Sequence, residues 1–320
     1  MVLKTKVRAV NPAFTKDFIG TIHSFIYSPL TNEKEEIVGW ARKERVETDL
    51  IVIDEASMVD AEIWGDLTSY GVPIIAVGDH GQLPPISGTF NLMEKPEVRL
   101  EKIHRQAEGD PIIELSIRAR TTGSIIPGSY GKNVKKYVRG LAESEEALES
   151  LLRSYSPETL VLCGLNATRV RVNSFIRGAL ELDPLRPVKK DRVICLRNNH
   201  EKGIFNGMLG TVLSLGRKNE KWYEAEIEMD GDLEIYKGKV LVAQFGNQTS
   251  MNFTDKRSIT REGDLFDYGY ALTVHKAQGS QAKRVVLFEE RFSKMDDDTW
   301  RRWLYTGVTR AEEELYIFGQ

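Results

Sequence analysis

Apolar residues along this chain come mostly in short unbroken runs. Residues 6–10 (KVRAV), 49–55 (DLIVIDE) and 72–79 (VPIIAVGD) are such runs, with helical or loop segments between them. The style returns at 159–165 (TLVLCGL), 284–290 (RVVLFEE) and 314–319 (ELYIFG). Continuous runs, as opposed to strict alternation, predict strands covered on both faces, hence parallel sheets of the α/β class. After TLVLCGL, the segment NATRVRVNSFIRGAL sets Val170, Val172, Phe175, Ile176 and Leu180 near helical spacing, with Asn166 or Thr168 as the cap. LAESEEALESLLRSY (141–155) reads as a second helix and GSIIPGSYGKN (123–133) as a loop. Residues 190–246 differ. DRVICL, GTVLSL, WYEAEIEM, LEIYKGK and VLVAQF are joined by Gly, Asn and Asp turns, a spacing that predicts a small antiparallel barrel.

Composition narrows the class only slightly. The 320 residues are 41% hydrophobic and 28% charged, with a net charge of −3. That is an ordinary balance for two globular domains with sizeable cores. It gives no global attraction to nucleic acid, so any such binding rests on a local basic groove. The two cysteines, Cys163 and Cys195, sit inside apolar runs. They read as buried thiols of a cytoplasmic protein, and their spacing is not that of a zinc site. No apolar stretch is long enough to span a membrane, and the N-terminus lacks a signal-peptide core.

Two strand ends carry chemistry. IVIDEAS runs straight into Asp54 and Glu55. Such an Asp can hold a magnesium shell while the neighbouring Glu polarises an attacking water. On its own the pair reads more readily as surface carboxylates ending a strand. The second strand ends in GDHGQLPPI (78–86), where the Gln82 amide can reach a terminal phosphate. Two strands that both end in phosphate-directed groups suit a sheet with its ligand at the carboxyl edge.

DEAS, GDHGQLPP, IHRQ (103–106), YALTVHKAQGSQ (270–281) and LYTGVTRA (304–311) resemble, in order and spacing, the motifs of superfamily 1 DNA helicases, most closely the RecD/Dda-like branch. DRVICLRNNHEKGIFNGMLGTV (191–212) resembles the start of that branch's inserted Src-homology-3-type barrel. The resemblance implies two RecA-like parallel-sheet domains: an incomplete first one over 1–105, and a second over 106–189 and 247–320 that carries the β-barrel at 190–246. It implies an ATP-dependent translocase, with ATP and Mg2+ as cofactors, that moves 5′ to 3′ on single-stranded DNA. Other replication or recombination proteins are further partners it implies.

Carried over residue by residue, Asp54 is the magnesium ligand, Glu55 the general base and Gln82 the γ-phosphate sensor. Arg105 and Arg310 are arginine fingers, Arg310 coming from the second RecA-like domain; a planar guanidinium suits charge spread over phosphate oxygens. Gly279 falls on the nucleotide side. Thr21 and His23 in GTIHSF, and Thr273 and His275 in LTVHKAQGS, face DNA, since hydroxyls and imidazoles bind phosphate without reading sequence.

One half of the expected nucleotide site is not in the sequence. A phosphate loop reads GxxxxGK[ST], and no Gly-Lys-Ser/Thr occurs in these 320 residues; Gly131-Lys132-Asn133 and Gly238-Lys239-Val240 are the nearest approaches. Three explanations stand: a piece of a longer gene product, a loop supplied by a separately encoded or spliced piece, or a natural protein that has lost ATPase function. The last is the rival reading, a non-catalytic single-strand-binding or partner-docking module. A nuclease is disfavoured, because no acidic and Lys cluster of that type is found.

Overall fold

A computed structural model describes residues 17–31, 37–84, 90–100, 109–199, 201–230, 235–251 and 262–320. The chain divides into two compact units, Met1–Ile103 and His104–Gln320. The expected strand at 6–10 lies outside the described residues.

In the first unit a short helix α1 (Ile22–Ile26) leads into an antiparallel pair, β1 (Tyr27–Thr31) and β2 (Ile37–Arg42). A βαβ unit follows: β3 (Ile51–Ile53), α2 (Ala61–Thr68) and β4 (Ile74–Ala76), with β3 and β4 parallel. Asp60 starts α2, its carboxylate accepting the Ile63 N–H at 2.9 Å. Ile26, Ile51, Ile53, Ala56, Val59, Leu67 and Met93 form the core under this pair. Among the described residues only one face is covered. Val52, opposite Ile75 in the register, is 64% exposed, and Ile75 and Val77 are exposed beside it. Burial on both faces, expected from the apolar runs, is seen on one face among the described residues.

The second unit contains two sheets. Its helices are α3 (Pro111–Thr122), α4 (Ala142–Arg153), α5 (Asn166–Ala179) and α6 (Asp297–Val308). One sheet is built from β5 (Gly128–Gly131), β6 (Val134–Val138), β7 (Thr159–Cys163), β13 (Ala271–Thr273), β14 (Ala282–Phe288) and β15 (Ala311–Gly319), in the order β13-β7-β14-β15-β6-β5. Every pairing is parallel except β5 with β6. Here the apolar runs are buried, with Val161, Cys163, Val286, Phe288 and Phe318 packed against Val172 and Ile176 of α5. The 123–133 segment, read as a loop, contributes the edge strand β5. Its Gly-Ser-Tyr-Gly sequence has no apolar pattern because an exposed edge strand pairs through its backbone alone.

The other sheet is antiparallel throughout. It contains β8 (Arg192–Cys195), β9 (Leu209–Arg217), β10 (Trp222–Met229), β11 (Ile235–Leu241) and β12 (Phe266–Tyr268), in the order β11-β10-β9-β8-β12. A bridge between Val240 and Asp264 joins the two outer edges, so the sheet curls back on itself. Its inner face is Val193, Cys195, Val212, Ala225, Ile227, Met229, Val240 and Phe266. The fifth strand, at 266–268, comes after the stretch in which the alternating pattern is visible. Among the described residues no helix is long and apolar enough to cross a membrane.

One polar stripe on α5 ties the sheets together. Arg169, Asn173 and Arg177 follow at i, i+4 and i+8 and so share a helix face. Arg169 Nη1 donates to Asp267 Oδ2 in β12 at 2.7 Å. Asn173 Oδ1 accepts the Tyr270 and Ala271 N–H groups at 3.0 and 2.9 Å, holding the start of β13. Arg177 is 2% exposed; its Nε donates to Asp191, just before β8, at 2.8 Å, and its guanidinium lies 4.1 Å from the Tyr268 ring centroid. Tyr270 Oη and the Val188 N–H also donate to Asp191. Deleting one member of such a buried pair strands the other charge. Arg177→Met should therefore destabilise the second unit by about 3–5 kcal/mol in urea melts, and Arg177→Met with Asp191→Asn, which removes the stranded charge and keeps an acceptor for Tyr270 and Val188, should recover part of that loss.

Candidate nucleotide and nucleic-acid sites

In the first unit the two strand-end motifs meet. The Val77 N–H donates to the Ile53 carbonyl at 2.8 Å, and the Ala56 N–H donates back to the Val77 carbonyl at 2.9 Å. This continues the β3–β4 pairing past both strand ends and sets DEAS beside GDHGQ. Gly78 is what allows it. A Cβ there would lie 2.9 Å from the Ser57 nitrogen, 3.1 Å from the Ala56 nitrogen and 2.9 Å from Met93 Sδ. Asp54 is exposed and accepts the Glu55 N–H at 2.9 Å. Glu55 is half-buried with φ of 52°, a left-handed backbone that turns the chain sharply after β3.

The other loop is organised by Asp79. Its Oδ1 accepts the Gly81 N–H at 2.9 Å, and its Oδ2 accepts from Gln82 Nε2 at 3.4 Å. Gln82 itself is buried. Sequence reading singled out Gln82 and passed over Gly78 and Asp79. The available signal was the Gly-Asp pair directly after an apolar strand.

Thr21 and His23 are both exposed, at the start of α1. Thr21 is the helix cap, its hydroxyl accepting the Ser24 N–H at 3.3 Å. The His23 ring lies 5.5 Å from that of Tyr27. Arg105 lies outside the described residues.

In the second unit, β13 ends at Thr273 and passes into a 3-10 turn over Val274–Ala277. Val274 and Ala277 are buried and anchor the turn. His275 is half-buried, and burial pushes its pKa below the ordinary 6.5. Lys276 Nζ donates to Asn206 Oδ1 at 2.7 Å, a contact between this turn and the FNG turn (205–207) of the antiparallel sheet. Gly279 is exposed with φ of 76°.

The next residue, Ser280, meets Arg310. Arg310 Nη1 donates to the Ser280 carbonyl at 3.2 Å, its Nε to the Thr306 carbonyl at 3.0 Å and its Nη2 to Thr309 Oγ1 at 3.3 Å. The Ala282 N–H closes the arrangement onto the Arg310 carbonyl. The structure thus brings the QGS loop and Arg310 together, and Arg310 is buried there at 2% exposure.

At the carboxyl edge of the parallel sheet, the first turn of α5 is served internally. Glu290 Oε2 accepts the Gly164 and Leu165 N–H groups at 3.0 and 3.1 Å, and its Oε1 accepts from Thr168 Oγ1 at 2.6 Å. Neither Asn166 nor Thr168 is the cap. Leu165 holds that position without a side-chain bond, and a carboxylate from beyond β14 serves in its place.

Two outcomes follow from this geometry. Gly78→Ala should lower the melting temperature of the first unit, with a cost of about 1–3 kcal/mol, because backbone nitrogens cannot yield to the new methyl. His275 has a depressed folded pKa, so the unfolded state binds a proton first as pH falls. The second unit should lose stability as pH drops through 6.5. His275→Gln should flatten that part of the melting-temperature profile, measured from pH 7.5 down to 5.5.

The chain matches two families. Residues 268–318 match the UvrD-like helicase C-terminal domain, and residues 19–126 match an AAA domain. Among curated proteins it is similar to the ATP-dependent RecD2 DNA helicase of Deinococcus radiodurans, 27% identical over 85% of this chain and 36% of that protein. It is also similar to the RecBCD enzyme subunit RecD of Haemophilus influenzae, 23% identical over 85% of this chain and 51% of that subunit. The chain therefore spans about a third to a half of the length of these relatives. Its fold is similar to that of Bacteroides Pif1 bound to single-stranded DNA, with a TM-score of 0.53 at 19% identity, covering 93% of this chain and 78% of that one. The complex of Bacteroides Pif1 with ADP-AlF3 and single-stranded DNA gives a TM-score of 0.52, also at 19% identity and with the same coverage. These matches make the chain similar to superfamily 1 helicases of the RecD type.

Proposed function

We propose that this chain carries the magnesium and water half of an ATPase site in its first unit and a single-strand-binding face in its second, and that it works in an ATP-dependent DNA helicase. The observation that carries the reading is the meeting of DEAS and GDHGQ at the ends of two parallel strands, which Gly78 permits. In this reading the first RecA-like domain runs to about residue 105, and the second holds a Src-homology-3-type barrel over 190–246. The curled antiparallel sheet supports the barrel. Translocation is 5′ to 3′ along single-stranded DNA in the cytoplasm, beside other replication or recombination proteins.

The residues present fit a magnesium-nucleotide in part. Asp54 offers an exposed carboxylate, the donor type magnesium prefers. Bound magnesium-ATP would supply the phosphoryl group and neutralise its developing charge. Glu55, turned out of the strand by its left-handed backbone, orients the attacking water and takes its proton. Gln82, whose amide Asp79 braces, would sense the terminal phosphate. Arg105 and Arg310 stabilise charge on the phosphate oxygens. Arg310 must exchange its bonds to Thr306 and Ser280 to do so, which links it to the Gly279 loop on the nucleotide side. Thr21, His23, Thr273 and His275 contact the DNA backbone.

Backbone amides and a lysine of the GxxxxGK[ST] kind are not among these 320 residues. Positioning supplies most of phosphoryl-transfer catalysis. Losing about 4 kcal/mol of it means roughly a thousandfold in rate. The test is a DNA-stimulated ATPase assay on this chain beside a fusion that supplies a GxxxxGK[ST] strand, loop and helix ahead of residue 1. The chain alone should turn over negligibly, the fusion should turn over, and Glu55→Gln should abolish that turnover. Turnover by the chain alone that Glu55→Gln abolishes would contradict the need for the loop. Inactivity of both would favour the non-catalytic binding module.

A further inference from the structure

The loop between α5 and β8 presents one apolar side chain to solvent from a fixed backbone. Leu185 is 91% exposed, so it touches almost nothing of its own chain. The backbone around it is held. The Leu185 N–H donates to Asp183 Oδ1 at 2.8 Å, and Arg186 Nε donates to Asp183 Oδ2 at 2.9 Å. The Arg186 carbonyl accepts from Arg177 Nη2 at 2.8 Å, which ties the loop to the buried Arg177–Asp191 pair. Pro187 is buried, and Pro184 fixes its own φ just before Leu185. A loop already ordered in the free protein loses little entropy when it binds. Arg186, Lys189 and Lys190 follow closely, and all three are exposed.

A surface of the opposite kind lies on α4. Its sequence, AESEEALESLLR, has four glutamates and one arginine. Glu146, Glu149, Ser150, Arg153 and Ser154 line a shallow trough along its exposed side. Arg153 Nε donates to Glu149 Oε1 at 2.7 Å, and its guanidinium lies 5.7 Å from the centroid of the Phe175 ring of α5. Phe175 is itself 37% exposed. The trough is thus acidic at Glu146 and apolar at Phe175. A lone exposed leucine is ordinary on a protein surface. A leucine on a held, basic loop, with an acidic and apolar trough elsewhere on the same molecule, makes a complementary pair.

We propose that the Leu185 loop of one copy docks on the α4 trough of a second copy, with Leu185 against Phe175 and with Lys189 and Lys190 facing Glu146. The partner is another copy of this chain. Two unlike surfaces meet, so a pair leaves one loop and one trough unused. The assembly therefore grows head to tail instead of closing as a symmetric dimer. The surfaces are small and charged, so the association is weak and salt-sensitive.

The test is sedimentation velocity of the whole chain, from low to high micromolar concentration and at two salt concentrations. The sedimentation coefficient of the wild type should rise with concentration at low salt and rise less at high salt. Leu185→Asp with Lys190→Glu spoils the loop, and Glu146→Lys with Glu149→Lys spoils the trough. All four side chains are exposed, so both variants should melt close to the wild type. Each variant alone should associate at least about 10-fold more weakly. Mixed, the two should associate again, since one keeps its trough and the other its loop, and the product should stop at a one-to-one pair. That recovery also shows that both variants are folded. Association that survives in either variant alone, or a mixture that stays monomeric where the wild type associates, would overturn the inference. So would a wild type that stays monomeric throughout at low salt. If that monomer binds (dT)15 and the loop variant weakens the binding, the loop serves nucleic acid and the inference is overturned in its favour.

Discussion

The polar stripe of α5 is the constraint on which the second unit depends. Arg169, Asn173 and Arg177 turn one helix face into three anchors: to β12, to the start of β13 and to the residue before β8. The helix's buried apolar positions, Val172 and Ile176, pack on the parallel sheet. One helix thereby fixes the antiparallel sheet at its entry and at its fifth strand. A pair of charges in this position gains little over apolar packing in stability alone. What it adds here is register, because each guanidinium has a single carboxylate it can satisfy. Tyr270 and Asp191 extend the same network, with burial and the adjacent carboxylate raising the phenol far above its ordinary pKa.

The site residues inherit their positions from that register. Asn173 holds the backbone of Tyr270 and Ala271, three residues before the 3-10 turn that presents His275 and Lys276. Arg177 and Asp191 hold the entry to β8, and the FNG turn hangs between β8 and β9. The Lys276 to Asn206 contact is therefore made by two loops that a common helix has already set. In the first unit a much smaller device does comparable work. The absent side chain of Gly78 lets two strand-end loops share backbone bonds, and Glu55 turns the chain directly after β3 with its left-handed backbone.

Much of this was legible in the sequence where burial is complete. TLVLCGL, RVVLFEE and ELYIFG are β7, β14 and β15, all inside a parallel sheet. The alternation in WYEAEIEM is β10, with Glu224 and Glu228 outward and Ala225 and Ile227 inward. What escaped notice has physical reasons. β5 is an edge strand of Gly, Ser and Tyr, and backbone pairing leaves no apolar trace. The fifth strand of the antiparallel sheet, Phe-Asp-Tyr, is three residues long and too short to show a period. In α5 the apolar stripe was read and the polar one was not, although Arg-x3-Asn-x3-Arg is visible in the sequence; hydrophobic periodicity reports what a helix packs on, not what it bonds to. Of the site, the carboxylates and Gln82 stood out by their place after apolar runs. Gly78 and Asn206 did not, because their roles are set by partners distant in the sequence.

The central claim is that α5 holds the β13 turn and the FNG turn as one platform for a single strand. Hydrogen–deuterium exchange of the whole chain, with and without saturating (dT)15, tests it most directly. The account predicts that exchange slows together in residues 273–280 and 204–209, while the far strands β10 and β11 are unchanged. Bound oligonucleotide that slows exchange in neither segment, or in only one of them, would contradict it.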